Sequence, residues 1–223
     1  MDKKLLFQAV IKFISGFVLT GVLVFWTAGT LRFANGWLFM GVLFVPMFIA
    51  GVVLLLKNPV LLKKRLESKE KQKEQSLVVA FSGSMFIAGF VIAGFNFRFG
   101  WYALPTSISV AAGVIFIFGY AIYARVLKEN IYLSRTIEVQ ENQKVVDTGL
   151  YAIVRHPMYS ATLILFLSMP VILGSVYSLA VFMVYPFIIA KRIKYEEILL
   201  EKELTGYKEY KKKVKYRLVP FIW

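Results

Sequence analysis

Long apolar runs separated by short polar ones fill the first half of the chain. Four of them, Phe13 to Leu31, Trp37 to Leu56, Leu77 to Phe95 and Leu104 to Tyr123, hold 19 or 20 residues each. At 1.5 Å per residue, such a run carries a helix across roughly 30 Å of hydrocarbon, so the pattern predicts four membrane spans. The first follows Met1-Asp2-Lys3-Lys4 and resembles a signal peptide in its order of charges. It exceeds a typical apolar signal core and comparable runs follow it, so it is read as a retained span. A fifth run, Tyr159 to Ala190, has 32 residues interrupted by Pro170 and by Gly174-Ser175. One kinked helix would leave its two flanks on opposite sides of the bilayer. A hairpin turning at Gly174 and Ser175 would leave them on the same side.

The basic residues choose between these. The loop between the first two runs carries only Arg32, and that between the third and fourth only Arg98. Arg125, Lys128, Arg135, Lys144 and Arg155 precede the fifth run, and ten more lysines and arginines follow it. Because cytoplasmic loops accumulate Lys and Arg, both flanks are placed inside, with the hairpin between them and both termini cytoplasmic. Hairpin arms of about 15 residues fall short of the roughly 20 that cross a bilayer, so shallow, tilted or internally packed arms are expected. The connector between the second and third runs mixes Lys57, Lys63, Lys64, Arg65, Lys69, Lys71 and Lys73 with Glu67, Glu70 and Glu74. It reads as a solvated, partly helical segment without chemistry. The polar stretch from Arg125 to Val154 holds the alternating Thr136-Ile137-Glu138-Val139-Gln140, a short extended piece, and a turn at Glu141-Asn142-Gln143-Lys144.

Composition agrees: 58% of the 223 residues are hydrophobic and 16% aromatic, with a mean hydropathy of +0.65, beyond the range of soluble domains. The fold class is an all-α integral membrane protein with four full spans and a carboxyl-terminal helical hairpin, divided into residues 1–126 and 127–223. Without cysteine and with a single histidine, a thiolate metal site, a catalytic thiol and a multi-histidine site are excluded. The net charge of +14 reflects lysine-rich segments facing anionic lipid, and no nucleic-acid partner is expected.

Candidate chemistry gathers at Gly149-Leu150-Tyr151-Ala152-Ile153-Val154-Arg155-His156-Pro157-Met158-Tyr159. Pro157 suits the first position of a helix running to about Leu173, which leaves Arg155 and His156 at that helix's positive end. This is an anion site for a carboxylate or phosphate, or else an interfacial anchor of charge and ring. The hairpin brings it beside the helix Lys191 to Glu201, where Arg192 can pair with Glu196 and where Glu197 and Glu201 share a face. A zwitterionic cofactor with a carboxylate and a cationic centre suits such a site, acting on a substrate whose tail stays in lipid. The lysines and tyrosines from Tyr207 to Pro220 form a surface patch that attracts anionic headgroups.

Gly149-x-Tyr151, Arg155-His156-Pro157-x-Tyr159, Glu196-Glu197, Gly206-Tyr207-x-x-Tyr210 and Arg217-x-x-Pro220, in this order and spacing, resemble the isoprenylcysteine carboxyl methyltransferase family and the related phospholipid methyltransferases. The likeness is firmest from Asn130 onward, the last 94 residues. It implies an S-adenosylmethionine-dependent enzyme with a cytoplasmic carboxyl-terminal cofactor region and a hydrophobic, lipid-like substrate. By the same resemblance Gly149, Tyr151, Arg155, His156, Pro157, Tyr159 and Glu196 bind the cofactor. Arg155 and His156 sit near its carboxylate, Glu197 approaches the reacting centre, and Arg217 orients an acidic substrate group. Tyr207 and Tyr210 serve packing or face the adenine. The chain departs from the family at Leu150, often proline, and at Ser160-Ala161, often glycine, which loosens a turn and crowds a helix contact. The alternative is an NADPH-dependent membrane reductase of sterol-like or polyprenyl substrates. Carboxylate or amine acceptors, and the oligomeric state, stay open at this level.

Overall fold

The computed structural model describes residues 3–66, 73–134 and 137–223, and within these the secondary structure is helical. Helix α1 (Lys3–Gly21) continues as a π-turn (Val22–Trp26); α2 (Ala34–Lys57), α3 (Pro59–Leu66), α4 (Lys73–Arg98) and α5 (Thr106–Glu129) follow. After a 3₁₀ turn (Gly149–Ala152) come α6 (Pro157–Ile172), α7 (Val176–Phe182), α8 (Tyr185–Glu203) and α9 (Tyr207–Lys213). Five stretches are long and apolar enough to cross a membrane, namely Lys3–Trp26, Ala34–Lys57, Ser76–Arg98, Thr106–Glu129 and Val176–Glu203, with α6 a shorter apolar helix.

The four spans lie where the pattern places them, but each helix is longer than its apolar run. The first begins at Lys3 rather than Phe13, because backbone hydrogen bonding continues through polar residues that hydropathy leaves out. The hairpin is present, and its arms are unequal. One arm is the 16-residue α6; the other is α7 and α8 in succession, 28 residues from Val176 to Glu203. Gly174 makes the turn at φ +75° with its Cα pressed against the Asn35 amide, where an added Cβ would lie 2.7 Å from Nδ2. Ser175 then caps α7 by accepting from the Ser178 N–H at 3.1 Å. Leu104 N–H donates to Gly174 C=O at 2.9 Å, so the hairpin turn sits at the same end of the bundle as the α4–α5 loop. Both hairpin flanks consequently emerge at the opposite end.

Phe39, Phe116, Phe182, Ile172 and Ile193 are fully buried between the helices. Phe86 meets Phe166 edge-on at 4.8 Å and Phe182 at 5.4 Å, an arrangement aromatic quadrupoles favour. At Gly89 a Cβ would fall 2.2 Å from Phe182, so glycine there admits the ring. The division drawn at residue 126 falls within the last turn of α5, and the two parts share one buried core.

Two expectations change. The alternation at 137–140 lies in an irregular segment that pairs with no strand among the described residues, and residues 135 and 136 lie outside them. The turn at 141–144 forms, with Asn142 at φ +58° and Gln143 N–H donating to Gln140 C=O. The connector after α2 is not simply solvated. Leu61 and Leu62 of α3 are buried, and Arg65 reaches Ser134 C=O at 3.2 Å, Met158 Sδ at 3.7 Å and the Tyr123 hydroxyl. The rest of that expectation, residues 67–72, lies outside the described residues.

Candidate active site

At the end of the bundle where α6 begins, the chain crosses itself. Arg155 and His156 donate their backbone N–H groups to Tyr216 and Arg217 C=O, each at 2.9 Å, and Ser160 Oγ donates to Leu218 C=O at 2.6 Å. The tail is thereby fastened across the first turn of α6. Pro157 occupies the first helical position and is fully buried.

The turn before it depends on Gly149. At φ +60° this residue is left-handed, and a Cβ would lie 2.4 Å from the Glu129 carboxylate carbon. Glu129 uses that closeness: it accepts from Leu150 N–H at 2.8 Å and from Arg125 Nε at 2.9 Å. The turn is thus tied to the end of α5. Tyr151, buried beside it, accepts from Asn130 Nδ2 at 3.0 Å and receives the Tyr210 hydroxyl on its C=O at 2.7 Å.

Glu197 is the hub of the buried charges. It is 3% exposed and Arg155 6%. Arg155 Nε donates to its Oε1 at 2.7 Å, while Arg155 Nη1 donates to Val214 and Lys215 C=O at 2.7 and 2.8 Å. His156 Nε2 lies 3.3 Å from the same Oε1; Arg217 Nε donates to Oε2 at 3.2 Å, with Lys211 Nζ at 3.5 Å. The anion that Arg155 and His156 were expected to attract is therefore met from within the chain. A carboxylate so surrounded by donors has its lone pairs occupied.

Glu196, one residue earlier, faces another way. It accepts the Tyr159 hydroxyl at 2.5 Å, and Arg192 Nε donates to the same hydroxyl at 3.0 Å. His156 Nδ1 stands 4.0 Å from Glu196, and its ring lies near-parallel to Tyr159 at 5.7 Å. The pair expected of Arg192 and Glu196 thus meets at Tyr159.

A cleft opens in front of this second group. Tyr151, Arg155, His156, Tyr159 and Glu196 line it, whereas Glu197 and Arg217 do not. Gly149 and Pro157 shape the backbone behind it. Its outer wall is the irregular stretch around Tyr132, Glu138 and Lys144, docked on a small apolar cluster of Leu204, Tyr207, Tyr210 and Val214. Burial pushes the Tyr151, Tyr207 and Tyr210 phenols up, so all three stay protonated at neutral pH. The Tyr207 hydroxyl is buried and, among the described residues, has no hydrogen-bond partner, a costly state for a polar group.

Spacing leaves Tyr207 open between packing and the adenine, and does not reveal its unpartnered hydroxyl. Glu129, Asn130 and Arg65 went unrecognised for another reason. They carry no motif, and the contacts that tie them to the site reach residues 21 or more away in sequence.

The donor set suits a zwitterion bearing a planar aromatic base: carboxylate opposite a cationic centre, Lys144 and Arg192 opposite a carboxylate, and tyrosines for stacking. The space is tight. The cleft encloses about 100 Å³, below the roughly 300–1,000 Å³ of most small-molecule sites.

Comparison with known proteins follows the same ground. No curated protein sequence matches the chain. Among solved structures, it is similar to the eukaryotic intramembrane Ras methyltransferase ICMT (isoprenylcysteine carboxyl methyltransferase), with a TM-score of 0.57 and 18% identity over 96% of this chain and 77% of that one. At that identity the likeness shows the fold. Residues 109–202, which contain the Gly149-to-Tyr159 segment and both glutamates, match the model of the isoprenylcysteine carboxyl methyltransferase (ICMT) family. By this match over fewer than half of its residues, and in a membrane fold shared with a solved ICMT, the chain is similar to the isoprenylcysteine carboxyl methyltransferase family.

Proposed function

We propose that the protein is a membrane methyltransferase that uses S-adenosylmethionine to methylate a hydrophobic, lipid-like acceptor, at a site on the cytoplasmic face. The observation that carries this reading is the cleft itself: Glu196, Tyr159 and His156 meet in it beside the unpartnered Tyr207 hydroxyl, within or adjoining the family-matched residues. The cytoplasmic assignment rests on the basic flanks of the hairpin.

In this reading Glu196 and the Tyr159 hydroxyl form the anionic wall for a cationic group, and Lys144 and Arg192 receive a carboxylate. Tyr207 donates or accepts one hydrogen bond. Glu197 is a counter-ion that holds Arg155, His156 and Arg217 in place, and Arg217 braces the tail. The bound cofactor supplies an electrophilic methyl group for in-line displacement. The protein's part is to align the acceptor and keep water out. A carboxylate acceptor needs no base; an amine must lose a proton, and Glu196, beside Tyr159 and His156, is then the candidate base.

Titration calorimetry of the detergent-solubilised chain with S-adenosylmethionine, with NADPH in parallel, tests this. Saturable binding of the first alone is expected. Binding of NADPH alone would overturn the methyltransferase reading and support a membrane reductase.

A further inference from the structure

On the outer side of the Arg155–Glu197–Arg217 cluster lies a second, open depression of about 540 Å³. Lys211, Lys212, Lys215 and Arg217 line it and no Asp or Glu side chain does. Lys211 is occupied with Glu201 and Glu197, and Arg217 Nε with Glu197. Lys212 and Lys215 are exposed, and among the described residues neither side-chain ammonium group has a hydrogen-bonding or ionic partner. The remaining wall is apolar and aromatic: the Arg217 guanidinium stacks 5.1 Å from the Trp223 ring, and Ile222 completes the rim.

The place of this depression decides its ligand. The tail is fastened to the first turn of α6 through Ser160 and Leu218, which is where the chain enters its apolar hairpin. Phe221 and Ile222 are 87% and 80% exposed beside the depression. Two uncovered apolar side chains next to two unpaired ammonium groups, at the level where a helix enters hydrocarbon, match a lipid whose head is anionic and whose chains lie alongside.

We infer that this depression is a binding site for the headgroup of an anionic phospholipid, with the phosphate between Lys212 and Lys215 and the acyl chains against Phe221 and Ile222. It is separate from the cleft, since Arg155 alone among the cluster residues borders both, and it does not depend on methyl transfer. Its effect is to seat the tail, and with it the Glu197 cluster, on the membrane surface.

Native mass spectrometry of the full chain in detergent tests this, with phosphatidylglycerol, phosphatidylcholine, glycerophosphoglycerol and inorganic phosphate as probes. The wild type is expected to retain phosphatidylglycerol in preference to phosphatidylcholine. Lys212→Ala/Lys215→Ala should reduce that preference by about thirtyfold. Lys3→Ala/Lys4→Ala, with the same loss of charge elsewhere, should leave it unchanged. Neither side chain of the first pair holds another residue, so the Lys212/Lys215 variant should melt as the wild type does. Equal retention by the Lys212/Lys215 variant, or equal loss in both variants, would overturn the site. Displacement by inorganic phosphate or glycerophosphoglycerol as effective as by the intact lipid would overturn the lipid and leave a free-anion site.

Discussion

Glu197→Gln is the most informative single change, because the side chain keeps its shape while losing its charge and exchanging one acceptor oxygen for an NH2 donor. In the wild type the carboxylate faces Arg155, His156, Arg217 and Lys211, and Arg155 is itself buried. Glutamine leaves the guanidinium with the carbonyls of Val214 and Lys215 but no counter-charge. Breaking a buried pair by removing one partner costs about 3–5 kcal/mol, against a total stability on the order of 5–15 kcal/mol. The cost should fall locally, because Arg155 and Arg217 link the α6 entry to the tail. At about 1.4 kcal/mol per decade, opening of the tail should become at least about a hundredfold more frequent. Limited trypsin digestion reads this directly, since Lys211, Lys212, Lys213 and Lys215 lie in the segment released; amide hydrogen exchange of α9 gives a second measure. Arg155→Met added to Glu197→Gln should recover a large part of the loss, since the unpaired charge is then gone. If Glu197→Gln resists trypsin and protects its amides as the wild type does, the carboxylate does not hold the tail and the counter-ion role assigned to it is wrong.

Gly149→Ala should lower the melting temperature and weaken cofactor binding together, because a left-handed alanine costs roughly 1–2 kcal/mol and its Cβ would push Glu129 off the Leu150 amide; an unchanged melt would remove the turn from the account. Tyr207→Phe should leave the free protein at least as stable as the wild type, since it removes a buried hydroxyl that has no partner among the described residues, yet bind S-adenosylmethionine about five- to tenfold more weakly, the loss of roughly one hydrogen bond. Equal affinity in calorimetry would take the hydroxyl out of the site. Arg65→Ala should speed both association and release of the cofactor in stopped-flow fluorescence, since Arg65 clasps the cleft wall at Ser134 to Met158 and Tyr123. Unaltered rates would show that the wall moves without it.

Much of this protein was legible in its order of residues because the membrane allows so few solutions. A run of 19 or 20 apolar residues in hydrocarbon must be helical to satisfy its backbone, and a run broken by Gly174-Ser175 between two basic flanks has a hairpin as its simplest reading. The grouping of Gly149, Tyr151, Arg155, His156, Pro157, Tyr159 and Glu196 with Glu197 and Arg217 was likewise visible, as motif spacing. Spacing did not tell Glu196 from Glu197. Adjacent residues on a helix point about 100° apart, and only the packing of α8 against α6 and the tail turned Glu197 into a ring of cations and Glu196 toward the cleft. Nor did it show that Arg65 and Glu129 take part, since each acts through a partner distant in sequence. The chain's local pattern settled which segments are helices and where they turn, because those depend on hydrocarbon and on neighbouring residues. Which charged side chain is spent on holding the fold and which remains for a ligand was decided by tertiary structure, because desolvation and pairing depend on what several distant segments bring to one point.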